Sequence, residues 1–395
     1  MGKPKIIRAS TIPLSLNVLL KGQLQFLSKH FEVIGLASKG SEMSEVQKRE
    51  GIATLTVDMQ RNISPFKDLI ALFKLYFVFK KEKPLMVHSI TPKAGLLSML
   101  AAKAAGVPIR MHTFTGLVFP SRTGFIQKIL IKTDQILCGA ATHVYPEGQG
   151  VKNDLIRFGI TSKPLKIIAN GNVNGIDVSY FDTAHFSTSE IEALKTKWNI
   201  QPTDFVFVFV GRLVRDKGIN ELIVAFKNLA TKQQNVKLLL VGNYEQELDP
   251  LLPETINAIE SEPQIVSVGY QNDVRPFFAI ANALVFPSYR EGFPNVVLQA
   301  GAMGLPSIVT DINGCNEIIE HKINGLIIPS KDANAIEKAM EIYLTDVNFY
   351  NFTKSNARSI VAQKFDQQIV WNALLSEYQY IIGNYNKKNR AFQIH

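Results

Sequence analysis

Apolar residues along the chain gather in short runs, with stretches of helical spacing between them. Runs at 5–8 and 31–36 bracket a helical stretch over 16–29, and further runs stand at 53–57, 85–88 and 109–112. Helical periodicity fills 66–82 and 94–105 between those runs. Strands buried on both faces have no polar side to alternate, so this pattern predicts a parallel sheet covered by helices on both faces. At 205–210 the pattern restarts with a continuous β-branched and aromatic run, followed by a predicted helix over 220–230. Runs at 236–241, 265–268, 283–286, 306–310 and 325–328 complete a second set.

The expectation is α/β throughout, with two doubly wound domains at 1–168 and 169–365. An Asn- and Gly-rich stretch over 167–177 reads as the hinge, and 366–383 as a long amphipathic last helix. Doubly wound sheets bind ligands outside the carboxyl ends of their strands. If the two carboxyl edges face each other, the cleft between the domains is the active site.

Composition narrows the class. The chain has 395 residues, 46% hydrophobic and 19% charged, which excludes a disordered, collagen-like or disulfide-stapled protein. Cys138 and Cys315 lie far apart and form no zinc or redox motif, and they suit a reducing compartment as buried thiols. The most apolar helical run, 69–79, is 11 residues long with Lys74 inside it, against about 20 needed to span a bilayer. A signal-like stretch over 11–20 is interrupted by Asn17, followed by Lys21, and lacks a cleavage site. A cytoplasmic location is expected.

Charge is unevenly spread. Residues 1–170 hold 24 Lys and Arg against 10 Asp and Glu, a balance of +14, whereas the remainder holds 19 against 24, or −5. A basic half joined to a mildly acidic one suggests different partners, with the basic half suited to a lipid headgroup, a diphosphate or a nucleic acid.

Two segments of the second half carry phosphate chemistry. The first, Val210 to Gly218, follows a predicted strand and opens a helix. Its glycines allow a tight turn, and Arg212 and Lys217 beside a helix N-terminus would cradle a diphosphate. It is not a P-loop, because Lys217 precedes Gly218 and no Ser or Thr follows, and a solvated basic turn is the plain alternative. In the second, a strand ends at Phe286, a loop carries Glu291, and a helix begins near Pro294. The amides of Phe293, Asn295 and Val296 would face an anion or a sugar hydroxyl there, and Glu291 can accept hydrogen bonds from hydroxyls.

Gly211-Arg212-Leu213 with Lys217-Gly218, then Glu291-Gly292-Phe293-Pro294-Asn295 and Gly304-Leu305-Pro306, resembles the retaining family 4 glycosyltransferases of GT-B fold. Asn174-Gly175-Ile176-Asp177 and Gly325 to Pro329 fit the same pattern. The resemblance covers nearly the whole chain. It implies two Rossmann-like domains, with a C-terminal helix over 366–395 packing back on the first. It further implies that Arg212 and Lys217 neutralise the diphosphate of a nucleotide-sugar, expected to be a UDP-sugar. Glu291 would hold the donor sugar's hydroxyls, with help from Phe293, Pro294, Asn295 and Val296, and Tyr270 would mark the nucleobase site. The family's usual second Glu is Gln299 here, whose amide can still bond ribose hydroxyls as donor and acceptor.

The first domain offers the acceptor side. His88 and Lys93 follow one predicted strand and His112, Thr113 and Gly116 follow another, which would place them at the sheet's carboxyl edge. By the resemblance His112 lies near the reacting centre. Ser15, His88, Lys93 and Thr113 are weaker candidates for the acceptor side. No Asp-x-Asp occurs in the sequence, so Arg212, Lys217 and helix amides would stabilise the leaving group, without a metal or a cofactor. In this fold the acceptor hydroxyl is thought to attack from the leaving group's own face, which retains the anomeric configuration.

Within 66–83, Lys67, Lys74 and Lys81 form one narrow stripe at 100° per residue, while apolar side chains cover most of the rest. That is more apolar surface than a one-sided helix needs, so the segment is either mostly buried or rests on anionic lipid. Residues 124–132 form a second such segment. Relatives with the His112-Thr113-Phe114-Thr115-Gly116 segment often extend sugars on polyprenyl diphosphate. The sequence therefore points to a glycosyltransferase acting on a lipid-linked saccharide at the cytoplasmic face of a bacterial inner membrane. A GT-B-fold UDP-sugar epimerase is the enzymatic rival. A basic nucleic-acid-binding protein is the other, although no zinc-finger or RRM signature supports it.

Overall fold

The computed structural model describes residues 2–60, 64–245, 247 and 249–393. The chain forms two compact units, one of residues up to Gly175 together with those from Gln367, the other Ile176–Asp366.

The first unit begins with β1 (Lys5–Ala9), α1 (Pro13–Leu19), α2 (Gln23–Ser28), β2 (Glu32–Ala37), α3 (Glu42–Glu50) and β3 (Ala53–Thr56). It continues with α4 (Pro65–Glu82), β4 (Met86–Ile90), α5 (Pro92–Ala104), β5 (Ile109–Phe114), α6 (Gly124–Ala140), β6 (His143–Pro146) and α7 (Gln149–Arg157). Its six strands lie in the order β3-β2-β1-β4-β5-β6, with the pairings parallel. Strand side chains alternate in direction, so the sheet has two buried faces. Ile6, Met86 and Met111 pack with Leu16, Leu24 and Leu374 on one face, whereas Ile7, Val87 and Phe114 pack with Leu75, Leu97 and Leu137 on the other.

The second unit holds α8 (Thr188–Lys197), β7 (Phe205–Val210), α9 (Ile219–Lys232), β8 (Val236–Val241), α10 (Pro253–Ser261) and β9 (Ile265–Ser267). Then come α11 (Arg275–Ala279), β10 (Ala283–Phe286), α12 (Asn295–Ala302), β11 (Ser307–Thr310), α13 (Cys315–Ile318), β12 (Gly325–Ile328), α14 (Ala333–Thr345) and α15 (Val347–Phe365). Its strand order, β12-β11-β10-β7-β8-β9, repeats the topology of the first sheet. In each sheet the strand order reverses at one place, between β1 and β4 in the first and between β7 and β10 in the second. That is where a doubly wound sheet opens a crevice.

Two expectations need correction. The helix expected over 16–29 is two helices, because Gly22 takes φ 78 and lies so close to Trp371 that a Cβ would stand 2.7 Å from its Cη2. The boundary expected at 168 falls at Gly175. Asn172 explains the shift, since its Oδ1 accepts the amides of Asn174 (3.0 Å) and Gly175 (2.8 Å) while its own amide donates to the Glu147 carbonyl at 2.8 Å. The last helix, α16, spans Gln367–Gln393. It packs on the first unit, where Tyr378 is fully buried against Phe31, with ring centroids 5.8 Å apart.

Candidate active site

The ends of β7 and β8 approach so closely that only glycine fits. Gly211 and Gly242 take φ 152 and 151, and a Cβ on Gly242 would lie 1.8 Å from the Gly211 carbonyl oxygen. This contact lets both strands release their loops side by side, and the Leu213 amide donates to the Asn243 carbonyl at 2.8 Å. Between the loops lies a cavity of about 500 Å³ whose lining includes Arg212, Asn243, Glu245, Tyr270 and Gln271. Arg212 is half exposed and ion-pairs with Glu245. Tyr270 is 66% exposed, with its amide held by Asn243 Oδ1 at 3.0 Å, so the ring is an open stacking surface and not a packed strand-end aromatic.

Lys217 ends a short 3-10 turn, Arg215–Lys217, closed by Gly218 at φ 72. A Cβ on Gly218 would stand 2.2 Å from the Pro287 carbonyl oxygen, so the loop after β7 lies hard against the loop after β10. The two sequence segments thereby meet. Lys217 Nζ ion-pairs with Glu291, both side chains are 16% exposed, and Ser288 Oγ donates to Glu291 Oε1 at 2.8 Å. The Lys217–Glu291 pair thus stands at the β7/β10 switch point, while the Arg212–Glu245 pair lines the cavity between the loops after β7 and β8.

Helix α12 points its first turn at the same region. Phe293 and Pro294 are buried, while Asn295, Val296 and Gln299 are half-buried. Helix geometry gives the first-turn amides no i−4 carbonyl, and Val297 donates instead to the Pro294 carbonyl at 3.2 Å. Gly314, at φ 75, backs this loop, since its Cβ would lie 2.4 Å from the Gly292 carbonyl oxygen. Behind it Cys315 is fully buried, and burial, followed by the Glu291 charge, pushes its thiol well above the ordinary value. Sequence reading did not single out Asn243, Glu245, Ser288 or Gly314. Gly242 carried a legible signal, being a Gly just beyond an apolar run.

In the first unit the histidines are not where the sequence put them. Both β4 and β5 run past them, so His88 and His112 sit mid-strand, 2% and 1% exposed, and not at the carboxyl edge. His88 Nε2 bonds Thr113 Oγ1 at 2.8 Å, and its Nδ1 lies 2.9 Å from Arg8 Nη1 and 2.5 Å from Tyr378 Oη. Burial and the Arg8 charge hold the His88 pKa well below the usual range. His112 occupies the opposite face of the sheet, with its ring against Gly95 of α5 and edge-on to Phe114 at 4.6 Å. Its Nδ1 bonds Ser89 Oγ at 2.9 Å, its buried Nε2 has no partner, and burial pushes its pKa down to about 3. Both rings are neutral at pH 7.

Lys93 is committed to Asp68 of α4, at 2.8 Å to each carboxylate oxygen, and Ser15 is half-buried within α1. What does stand at the β1/β4 switch point is a threonine pair. Thr11 and Thr91 share a 2.8 Å hydroxyl contact, Thr11 Oγ1 accepts the Ala94 amide at 3.1 Å, and Thr91 takes φ 70, a backbone that β-branched residues rarely adopt.

Residues 190–360 match the profile of glycosyl transferases group 1, and residues 24–172 match glycosyltransferase family 4. Over 380 residues the chain is 32% identical to the capsular polysaccharide biosynthesis glycosyltransferase CapM of Staphylococcus aureus, covering 96% of this chain and 97% of that one. The protein is a member of the group 1, family 4 glycosyltransferases. This glycosyltransferase is also 28% identical, over 78% of both chains, to the UDP-Gal:alpha-D-GlcNAc-diphosphoundecaprenol alpha-1,3-galactosyltransferase of Escherichia coli. Among solved structures, HepE of Anabaena in complex with UDP superposes with TM-score 0.78 at 18% identity, covering 96% of this chain and 100% of that one. The glycosyltransferase thus has the GT-B pair of Rossmann-like sheets.

Proposed function

We propose that this glycosyltransferase moves a hexose or N-acetylhexosamine from a UDP-sugar to a polyprenyl-diphosphate-linked saccharide, in the assembly of a bacterial surface polysaccharide at the cytoplasmic face of the membrane. The observation that carries the reading is the open cavity at the ends of β7 and β8, lined by Arg212 and Tyr270, with the Lys217–Glu291 pair held where the loop after β7 meets the loop after β10. The capsular role in the CapM name, the UDP-Gal donor and diphosphoundecaprenol acceptor in the Escherichia coli name, and the UDP held by HepE all support it.

In this reading the nucleobase lies on Tyr270 and the diphosphate draws Arg212 from Glu245 and Lys217 from Glu291. Glu291 then accepts hydrogen bonds from the donor sugar's hydroxyls. The acceptor oxygen forms its bond to the anomeric carbon on the face from which the phosphate departs. The bond from that carbon to the phosphate oxygen breaks, and the departing phosphate takes the acceptor's proton. Charge developing on the diphosphate is met by the Arg212 guanidinium and the Lys217 ammonium that it has drawn from their carboxylates, with the first-turn amides of α12 beside them, so the scheme uses neither a metal nor a protein nucleophile. His112 has no direct part in this scheme. It is a buried neutral ring on β5.

Thermal melts with UDP, GDP, ADP and UDP-sugars test the reading. A nucleotide at about 100 times its dissociation constant stabilises by about 2.7 kcal/mol. UDP should raise the melting temperature of the wild type but not of Arg212→Ala. A wild type indifferent to every nucleotide would overturn the donor assignment.

A further inference from the structure

We infer that Asn243 and Gln271 read the donor's nucleobase, presenting one hydrogen-bond donor and one acceptor to the keto edge of uracil, an inference that rests on the nucleotide-sugar reading above. Both side chains line the cavity of about 500 Å³ at the ends of β7 and β8. Each is anchored by one backbone group, and that group decides which way its amide faces.

A carboxamide has an oxygen that only accepts and an NH2 that only donates, so its partners fix its orientation. Asn243 Oδ1 accepts the Tyr270 amide at 3.0 Å. A backbone N–H can only donate, so the oxygen must face it. The exposed Asn243 is thereby left with an Nδ2 that has no hydrogen-bond partner among the described residues. Gln271 is anchored the other way round. Its Nε2 donates to the Val268 carbonyl at 2.9 Å, which leaves Oε1 without a partner among the described residues.

The backbone beneath these amides is pinned. The Gly242 amide donates to the Gly269 carbonyl at 2.9 Å, and the Asn243 carbonyl accepts the Leu213 amide at 2.8 Å. The loops after β7, β8 and β9 therefore hold one another, with the exposed Tyr270 ring beside both amides. Because the Tyr270 amide is spent on Asn243 Oδ1, Asn243 Nδ2 is the donor left for a base lying on that ring.

The polarity of this pair selects the base. Uracil offers a carbonyl oxygen at C4 that accepts and an N3–H that donates, matching Asn243 Nδ2 and Gln271 Oε1. Cytosine carries an amino group at C4 and a bare N3, which sets donor against donor and lone pair against lone pair. Adenine has cytosine's polarity and guanine has uracil's. A mismatched edge leaves groups desolvated and unpaired, which costs more than a matched bond gains.

The test is calorimetric titration of the full-length protein with UDP, CDP, GDP and ADP. CDP differs from UDP only in the edge at issue, and the wild type should bind UDP at least about tenfold more tightly. Asn243→Asp keeps an oxygen for the Tyr270 amide but turns the free NH2 into an acceptor. Its UDP-over-CDP preference should fall by at least about tenfold, while its added charge acts on both diphosphates and cancels in the ratio. Gln271→Met removes the acceptor and should narrow the same ratio. Asn243→Asp should melt with the wild type, and if one variant fails to fold the other still reports the ratio. Equal affinity of the wild type for UDP and CDP would overturn the inference and leave the donor reading standing. So would an Asn243→Asp protein that loses both nucleotides by the same factor, which would place Asn243 on the ribose or diphosphate. Binding of GDP in place of UDP would uphold the polarity and correct the donor. A wild type that binds none of the four would refute the donor reading and this inference with it.

Discussion

Acidification should unfold the first unit through His112. In the unfolded chain its imidazole titrates near 6.5, whereas burial pushes the folded value down to about 3. The folded state therefore binds fewer protons below neutrality, so the stability contributed at pH 7 is lost as pH falls from 6.5 toward 3. Between about pH 7.5 and about pH 5 the loss from this one ring is about 2 kcal/mol, nearly all of it from protonation of the unfolded chain. His88 and His143 shift in the same direction and add to the total.

Comparison with His112→Asn isolates the ring, because the other histidines are common to both proteins. Trp198 lies in the second unit and Trp371 in the first, so a Trp198→Phe background leaves one reporter. Trp371 is 7% exposed, lies 5.4 Å from the Phe26 ring and donates to Asn174 Oδ1 at 2.8 Å, so unfolding of the first unit must change its fluorescence. Urea midpoints at the two pH values should show that His112→Asn is less stable at the higher pH but loses about 2 kcal/mol less on acidification. Equal losses in the two proteins would refute a desolvated His112.

Two further perturbations address the donor site. Glu291→Gln should lower turnover by about 10²-fold while UDP still shifts the melt, because Lys217 and Arg212 remain. NMR of the product should show an α-linkage from an α-donor, and a β-linkage would refute same-face attack. Gly242→Ala, forced to fit a Cβ 1.8 Å from the Gly211 oxygen at φ 151, should destabilise the protein by on the order of 3 kcal/mol and abolish the UDP shift. An unchanged melt would show that the β7 and β8 ends do not meet as described.

The chain's own pattern went far toward this architecture, and its failures have physical causes. The run at 205–210 became β7 unchanged, because a strand buried on both faces needs no other signal. The sequence reading ended β5 at His112, but the observed strand carries Thr113 and Phe114 as well, which draws the histidine inside. A polar side chain looked like a strand end when it was a neutral core ring. Gly22 broke an expected helix only because Trp371, remote in sequence, presses on it. The strand β6 is four residues with a His at its start and a Pro at its end, too short and too polar to announce itself. At the donor site, Arg212, Lys217 and Glu291 were legible because charged groups beside glycines signal a ligand. Glu245 was not, since only the fold brings it to Arg212. Lys-stripe arithmetic on α4 left burial and lipid contact open, and periodicity could not tell which of two apolar sides faced the sheet.

The return of α16 to the first unit reverses the order of completion relative to the order of synthesis. Arg8 is 1% exposed, and its guanidinium donates to Tyr378 Oη at 2.6 Å across 370 positions of chain. Leu374, Tyr378 and Ile381 also close one side of the first sheet's core. The second unit is a single uninterrupted segment, Ile176–Asp366, with all its strands and their core synthesised before Gln367. The half of the protein that emerges last is thus free to finish first. The half that emerges first must hold an uncovered sheet face and an uncapped arginine until the final helix leaves the tunnel.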